Sequence, residues 1–184
     1  MTLLRALAVI ALLAVALTLQ LGVFPAFAVA GVVPDVALVV VVAIALARGS
    51  EFAALVGFCA GLTLDLAPPA DHSAGRWALA FVVVGYVAGL VRRDAAVSAL
   101  ASVLVVAAGS FIGTSLFALS GLVLGEPAVS VPAALQVVPI AVAYDVVLTP
   151  FVVPLVLLLL RRLEPRQHTQ LLVGPGTGPR LGAR

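Results

Sequence analysis

PDVALVVVVAIALARGSEFAALVGFCAGLTLDL, residues 34–66, holds two apolar runs separated by Arg48-Gly49-Ser50-Glu51. A long apolar run without strict alternation satisfies its own backbone hydrogen bonds as a helix rather than as a barrel strand. The four polar residues between the runs have the chemistry of a tight helical hairpin. Arg48 suits a helix C-terminus, Gly49 can take the left-handed closing conformation, and Ser50 is placed to cap the next helix. Two antiparallel neighbouring helices are therefore expected here.

The same pattern extends in both directions. Apolar stretches run over about 6–24, 32–47, 52–66, 77–91, 95–124 and 131–160. Arg5 precedes the first, Arg48 ends the second, Arg92 and Arg93 end the fourth, and Arg161, Arg162, Arg166, Arg180 and Arg184 follow the sixth. All ten basic residues are arginine, and of these only Arg76 lies in a loop on the opposite side. Because arginine-rich loops stay in the cytoplasm, six crossings with both termini inside segregate the charges, and an odd number does not. Composition agrees: 64% of residues are apolar and 10% charged, more apolar surface than a soluble domain of this length can hide. The basic balance suits anionic headgroups better than nucleic acid. The expected fold is all-α, a six-helix transmembrane domain over 1–163 with a disordered basic tail over 164–184, rich in Gly and Pro.

Arg5, the apolar core after it and Ala26-Phe27-Ala28 also have the form of a cleaved signal peptide. Its removal leaves five crossings and spoils the charge segregation, so a retained first helix is preferred. Pro68-Pro69 stops the third helix, Trp77 suits an interfacial anchor, and Cys59 reads as inert packing. Pro139, Pro150 and Pro154 are expected to kink or interrupt the last long segment, whose outer part could run along the surface.

Two features carry the candidate function. Small residues four apart, Gly57 and Gly61, Gly85 and Gly89, Gly109 and Gly113, Gly121 and Gly125, allow close helix packing, within the chain or against a partner helix. Carboxylates inside apolar runs are costly in lipid and are candidate functional charges. Asp65 continues the Gly57, Gly61 stripe and sits at a helix C-terminus, where the macrodipole disfavours it, so it needs a cation, hydrogen bonds or a proton; Arg76 is the nearest cation. Asp35 follows Pro34 and suits an N-cap. Asp145 lies roughly 24 Å from the cytoplasmic edge if its helix is continuous. Enzymatic chemistry has no visible support: Asp71-His72-Ser73 are contiguous and cannot easily form a triad, and no metal motif, phosphate loop or lysine is present. No cofactor is implied.

Pro34-Asp35, Arg48-Gly49, the stretch Gly57-Phe58-Cys59-Ala60-Gly61-Leu62-Thr63-Leu64-Asp65-Leu66, Gly85-Tyr86-Val87-Ala88-Gly89 and Pro150 before the terminal arginines together resemble the bacterial rod shape-determining family MreD, over roughly residues 4–163. The resemblance implies a non-enzymatic inner-membrane scaffold of cell-wall elongation and peptidoglycan synthesis. Its partner would be MreC and, indirectly, MreB, RodA and a penicillin-binding transpeptidase. It also implies a fold similar to the substrate-binding subunits of energy-coupling-factor transporters. A small-molecule-binding transporter subunit is therefore the alternative. The first helix has no two alanines four apart, which such subunits often use to grip their energising module. A proton-coupled carrier using Asp65 or Asp145 is a third class, without an inverted repeat to support it.

Cysteine-accessibility labelling tests the topology: positions 49, 94 and 169 should label from the cytoplasm and positions 70 and 127 from outside. External labelling at position 94 contradicts six crossings.

Overall fold

The computed structural model describes residues 3–68, 73–92, 98–127 and 129–163. They form α1 (Leu3–Gly22), a 3-10 turn (Phe24–Phe27), α2 (Val36–Arg48), α3 (Ser50–Leu66), α4 (Arg76–Leu90), α5 (Ala99–Val123) and α6 (Val131–Arg162), with no strand among the described residues. Three of these helices, α1, α5 and α6, are long and apolar enough to cross a membrane. The other three are shorter, at 13, 17 and 15 residues. The expected tail after Leu163 lies outside the described residues.

α2 is the centre of the bundle. Its sequence is apolar on every side, with no polar face to turn outward, and such a helix belongs in an interior. Every residue from Val36 to Leu46 is buried. The five other helices pack around it. α1 is the most peripheral: it buries Val9, Leu13, Ala16 and Leu17 and leaves Leu3, Leu4, Leu7, Ile10 and Val15 exposed.

The hairpin between α2 and α3 forms as a tight turn. Gly49 has φ 93°, a conformation L side chains rarely adopt, and its N–H closes on Ala45 O at 2.8 Å. Ser50 is not the cap: it is the first residue of α3, and Gly49 occupies the cap position without a side-chain bond. The prolines of α6 do not interrupt it. Pro139, Pro150 and Pro154 all lie inside one helix that runs unbroken from Val131 to Arg162. In an apolar bundle, neighbouring helices can hold such a helix together despite the missing N–H donors.

α3 and α4 touch backbone to backbone. A Cβ at Gly57 would lie 2.8 Å from the carbonyl carbon of Phe81, and one at Gly61 would lie 2.6 Å from Ala78 Cα. From the other side, a Cβ at Gly85 would lie 2.5 Å from Ala53 O, and one at Gly89 would lie 2.7 Å from the carbonyl carbon of Gly49. The two glycine pairs thus interleave on antiparallel helices, each opening a groove for the other backbone. Where hydrophobic sorting contributes little, this close van der Waals approach holds helices together. The glycine pair of α5 is different. Gly109 and Gly113 face side-chain methyls, Val84 Cγ1 at 3.1 Å and Leu38 Cδ1 at 2.9 Å.

Helix direction alternates through the bundle and separates the charges. Asp35 at the start of α2 meets Asp145 in α6, and Arg5 near the start of α1 donates from Nε to Leu163 O at 3.1 Å. Arg5, Arg48, Arg92, Arg161 and Arg162 therefore gather at one end. Asp35, Asp65, Arg76, Glu126 and Asp145 lie toward the other. Cys59, read from the sequence as packing, is exposed.

The glycine contacts make a graded prediction for thermal unfolding in detergent. Gly61→Ala must push two backbones apart and should cost about 1–3 kcal/mol. Gly109→Ala should cost less, because the methyls it meets can shift. Gly22→Ala meets nothing within 4 Å and should be neutral or slightly stabilising. Equal effects at the three sites contradict the backbone clasp.

Candidate functional site

Asp65 ends the Gly57, Gly61 stripe of α3 and is 2% exposed. Its carboxylate reaches across the connection to the first turn of α4. Oδ2 accepts the N–H of Gly75 at 2.9 Å and of Ala78 at 3.0 Å, and Oδ1 accepts the N–H of Trp77 at 3.0 Å. Gly75 is the cap residue of α4, in the left-handed region at φ 99° with no side chain of its own to cap the helix. Asp65 supplies that cap from the preceding helix. The macrodipole argument reverses accordingly: the carboxylate lies at the C-terminus of α3 but binds the positive N-terminus of α4.

The guanidinium of Arg76 does not serve Asp65. Arg76 is 3% exposed, and its ion pair among the described residues is with Glu126, from Nη1 to Oε2. Nε donates to Ser120 Oγ at 3.1 Å, Nη2 donates to Phe117 O at 2.6 Å, and Cζ lies 3.9 Å from the centroid of the Phe117 ring. Trp77 stacks on the same Phe117 ring, with the centroids 4.2 Å apart. Gly121 makes the room, since a Cβ there would lie 2.9 Å from Arg76 Cζ. Glu126 also accepts the Ser73 N–H on Oε1 at 2.7 Å. The network ties the start of α4 to the end of α5 and to the α5–α6 loop. The Ser73 N–H first, and then the Arg76 charge, hold the Glu126 carboxyl below its ordinary range.

Asp35 and Asp145 meet on the same side of the bundle. Asp35 caps α2, with Oδ1 accepting the Leu38 N–H at 2.9 Å, and its own N–H donates to Asp145 Oδ1 at 2.9 Å. Asp145 is 0% exposed. Its Oδ2 and Ser110 Oγ are buried with no hydrogen-bond partner among the described residues. Thr149 Oγ1 donates to Asp145 O at 2.7 Å, and Gln20 Oε1 accepts the Ala37 N–H at 2.9 Å. Four helices thus contribute polar groups to an otherwise apolar interior.

Of the residues the sequence singles out, the structure brings Gly57, Gly61, Gly85, Gly89 and Asp65 into one interface within the chain, and Asp35 and Asp145 into another contact. Arg76 sits beside the first through Trp77 but spends its charge on Glu126. Glu126, Ser120 and Gly121 of this network are not singled out as a charge site by sequence reasoning; Glu126 is the acidic residue of the loop between α5 and α6, across from Arg76, and that juxtaposition was the available signal. Asp71 and His72 lie outside the described residues. Among the described residues no three His, Cys, Asp or Glu side chains converge as a metal site.

Because the Glu126 carboxyl is held low, its contribution to stability is present above the ordinary carboxylate range and is lost as pH falls through its lowered value. Wild-type protein should lose stability over that acid window, and Glu126→Gln should lose less over the same window while starting lower at neutral pH. An unchanged acid profile in Glu126→Gln contradicts the pairing. Comparison with family models, curated proteins and solved structures gives no match.

Proposed function

We propose that the chain is a non-enzymatic integral membrane scaffold of the MreD type, with all six helices crossing the bacterial inner membrane and both termini in the cytoplasm. The observation that carries this reading is the Gly57–Leu66 stretch on which the resemblance centres. Its two glycines and its aspartate are the groups that clasp α3 to α4 and cap α4. A motif used to fix helix geometry, rather than to present reactive groups, suits a scaffold better than a catalyst.

Six crossings are supported by the gathering of the described arginines Arg5, Arg48, Arg92, Arg161 and Arg162 at one end of the bundle. α2 is only about 20 Å long at 1.5 Å per residue. It is enclosed by the other helices, so its length need not match the hydrocarbon thickness. The exposed apolar flank of α1, with Leu7, Ile10 and Val15, offers a surface for lipid or for a partner helix.

The glycine stripes of α3 and α4 are filled by each other, which directs a partner such as MreC to the outer flanks. Affinity purification of the full chain from native membranes, followed by mass spectrometry, tests the proposal. Recovery of MreC with components of the elongation machinery is the expected result. Recovery of an energising ATPase module without MreC contradicts it and favours a transporter subunit.

A further inference from the structure

At the arginine-rich end, Arg48 and Arg92 both lie at the Gly49 turn, and neither forms an ion pair among the described residues. Arg48 is the last residue of α2, and its Nε and Nη2 are buried with no hydrogen-bond partner among the described residues. Arg92 follows α4, and its Nη1 lies 3.5 Å from the position of a Cβ on Gly49, the residue after Arg48. The glycine clasp enforces this approach, because Gly89 packs on Gly49 and Ser50 and so brings the end of α4 to the hairpin. α3 starts at the same turn with no side-chain cap. Glu51, in the first turn of α3, forms no ion pair among the described residues.

Neither Arg48 nor Arg92 has a counter-charge among the described residues, and an anion bound at this turn supplies the charge that both lack. We propose that Arg48 and Arg92 form a binding site for the phosphate of an anionic phospholipid. The phosphate matches the guanidinium fork and the uncapped start of α3. The lipid source follows from what borders the site: Val87, Leu90 and Val91, on the turn leading to Arg92, are exposed apolar side chains on which acyl chains can lie. A free phosphate would leave that surface uncovered. The site adds a fixed lipid to the bundle and is independent of the scaffold reading, since it rests on neither the resemblance nor a protein partner.

Titration of the purified full chain with phosphatidylglycerol, phosphatidylcholine or inorganic phosphate, read as the shift in unfolding temperature and as lipid retained in native mass spectrometry, tests the site. Phosphatidylglycerol should stabilise the wild type more than phosphatidylcholine does, and inorganic phosphate should not reproduce the effect. Arg92→Gln, at an exposed side chain, should fold and weaken apparent phosphatidylglycerol affinity by about fivefold. Arg48→Gln should weaken it at least as much. Arg162→Gln, which removes an equal charge from the end of α6, should leave it nearly unchanged. Wild-type affinity in Arg92→Gln, or an equal loss in Arg162→Gln, overturns the site. Equal stabilisation by inorganic phosphate or phosphatidylcholine overturns the anionic lipid as its occupant.

Discussion

The carboxylate of Asp65, shared among three backbone amides at the start of α4, fixes how the two halves of the α3–α4 pair meet. A helix beginning with Gly75 in the left-handed region has no side chain of its own for its first N–H groups, and in an apolar environment unmet amides are costly. Asp65 meets them from the end of α3, which sets the height of one helix against the other. Only at that register do Gly57 and Gly61 face the backbone of α4 while Gly85 and Gly89 face that of α3. The same register delivers Arg92 to the Gly49 turn at one end and Arg76 to Phe117, Ser120 and Glu126 at the other.

The bundle built on this pair is held by close packing and hydrogen bonds more than by exclusion of water. α2 shows the consequence: a helix with no polar face is stable because other helices surround it. Charged groups are kept only where something meets them. Asp35 caps α2, Asp65 caps α4, and Arg76 lies within an ion pair, two acceptors and an aromatic face. Asp145 Oδ2 and the Arg48 guanidinium are the conspicuous exceptions, buried with donors or acceptors unmet. Nearly all buried polar groups in folded proteins are met, so these two stand apart from the rest of the bundle.

Much of the fold was legible in the sequence because apolar length, glycine spacing and arginine placement each report a local cause. The hairpin at Gly49 and the Asp35 cap need only a few neighbouring residues and were readable. The cap by Ser50 was not realised, because the clasp with Gly89 crowds that turn and Gly49 takes the cap position. The unbroken path of α6 through three prolines depends on neighbours that local breaker rules ignore. The sequence marks Asp65 as a carboxylate in need of a partner, but charge alone points to Arg76. The amides of α4 carry no sequence signal, and only the folded register brings them within reach. The pairing of Glu126 with Arg76 spans fifty positions of chain, and only their placement in loops on the same side of the bundle hints at it.

Amide hydrogen exchange at Gly75, Trp77 and Ala78, measured by NMR on the full chain in lipid nanodiscs, tests most directly whether Asp65 sets the register of the bundle. Slow exchange of all three in the wild type, lost together in Asp65→Asn while the central amides of α2 stay protected, is the predicted result. Exchange at these three amides that is rapid in the wild type, or unchanged by Asp65→Asn, contradicts it.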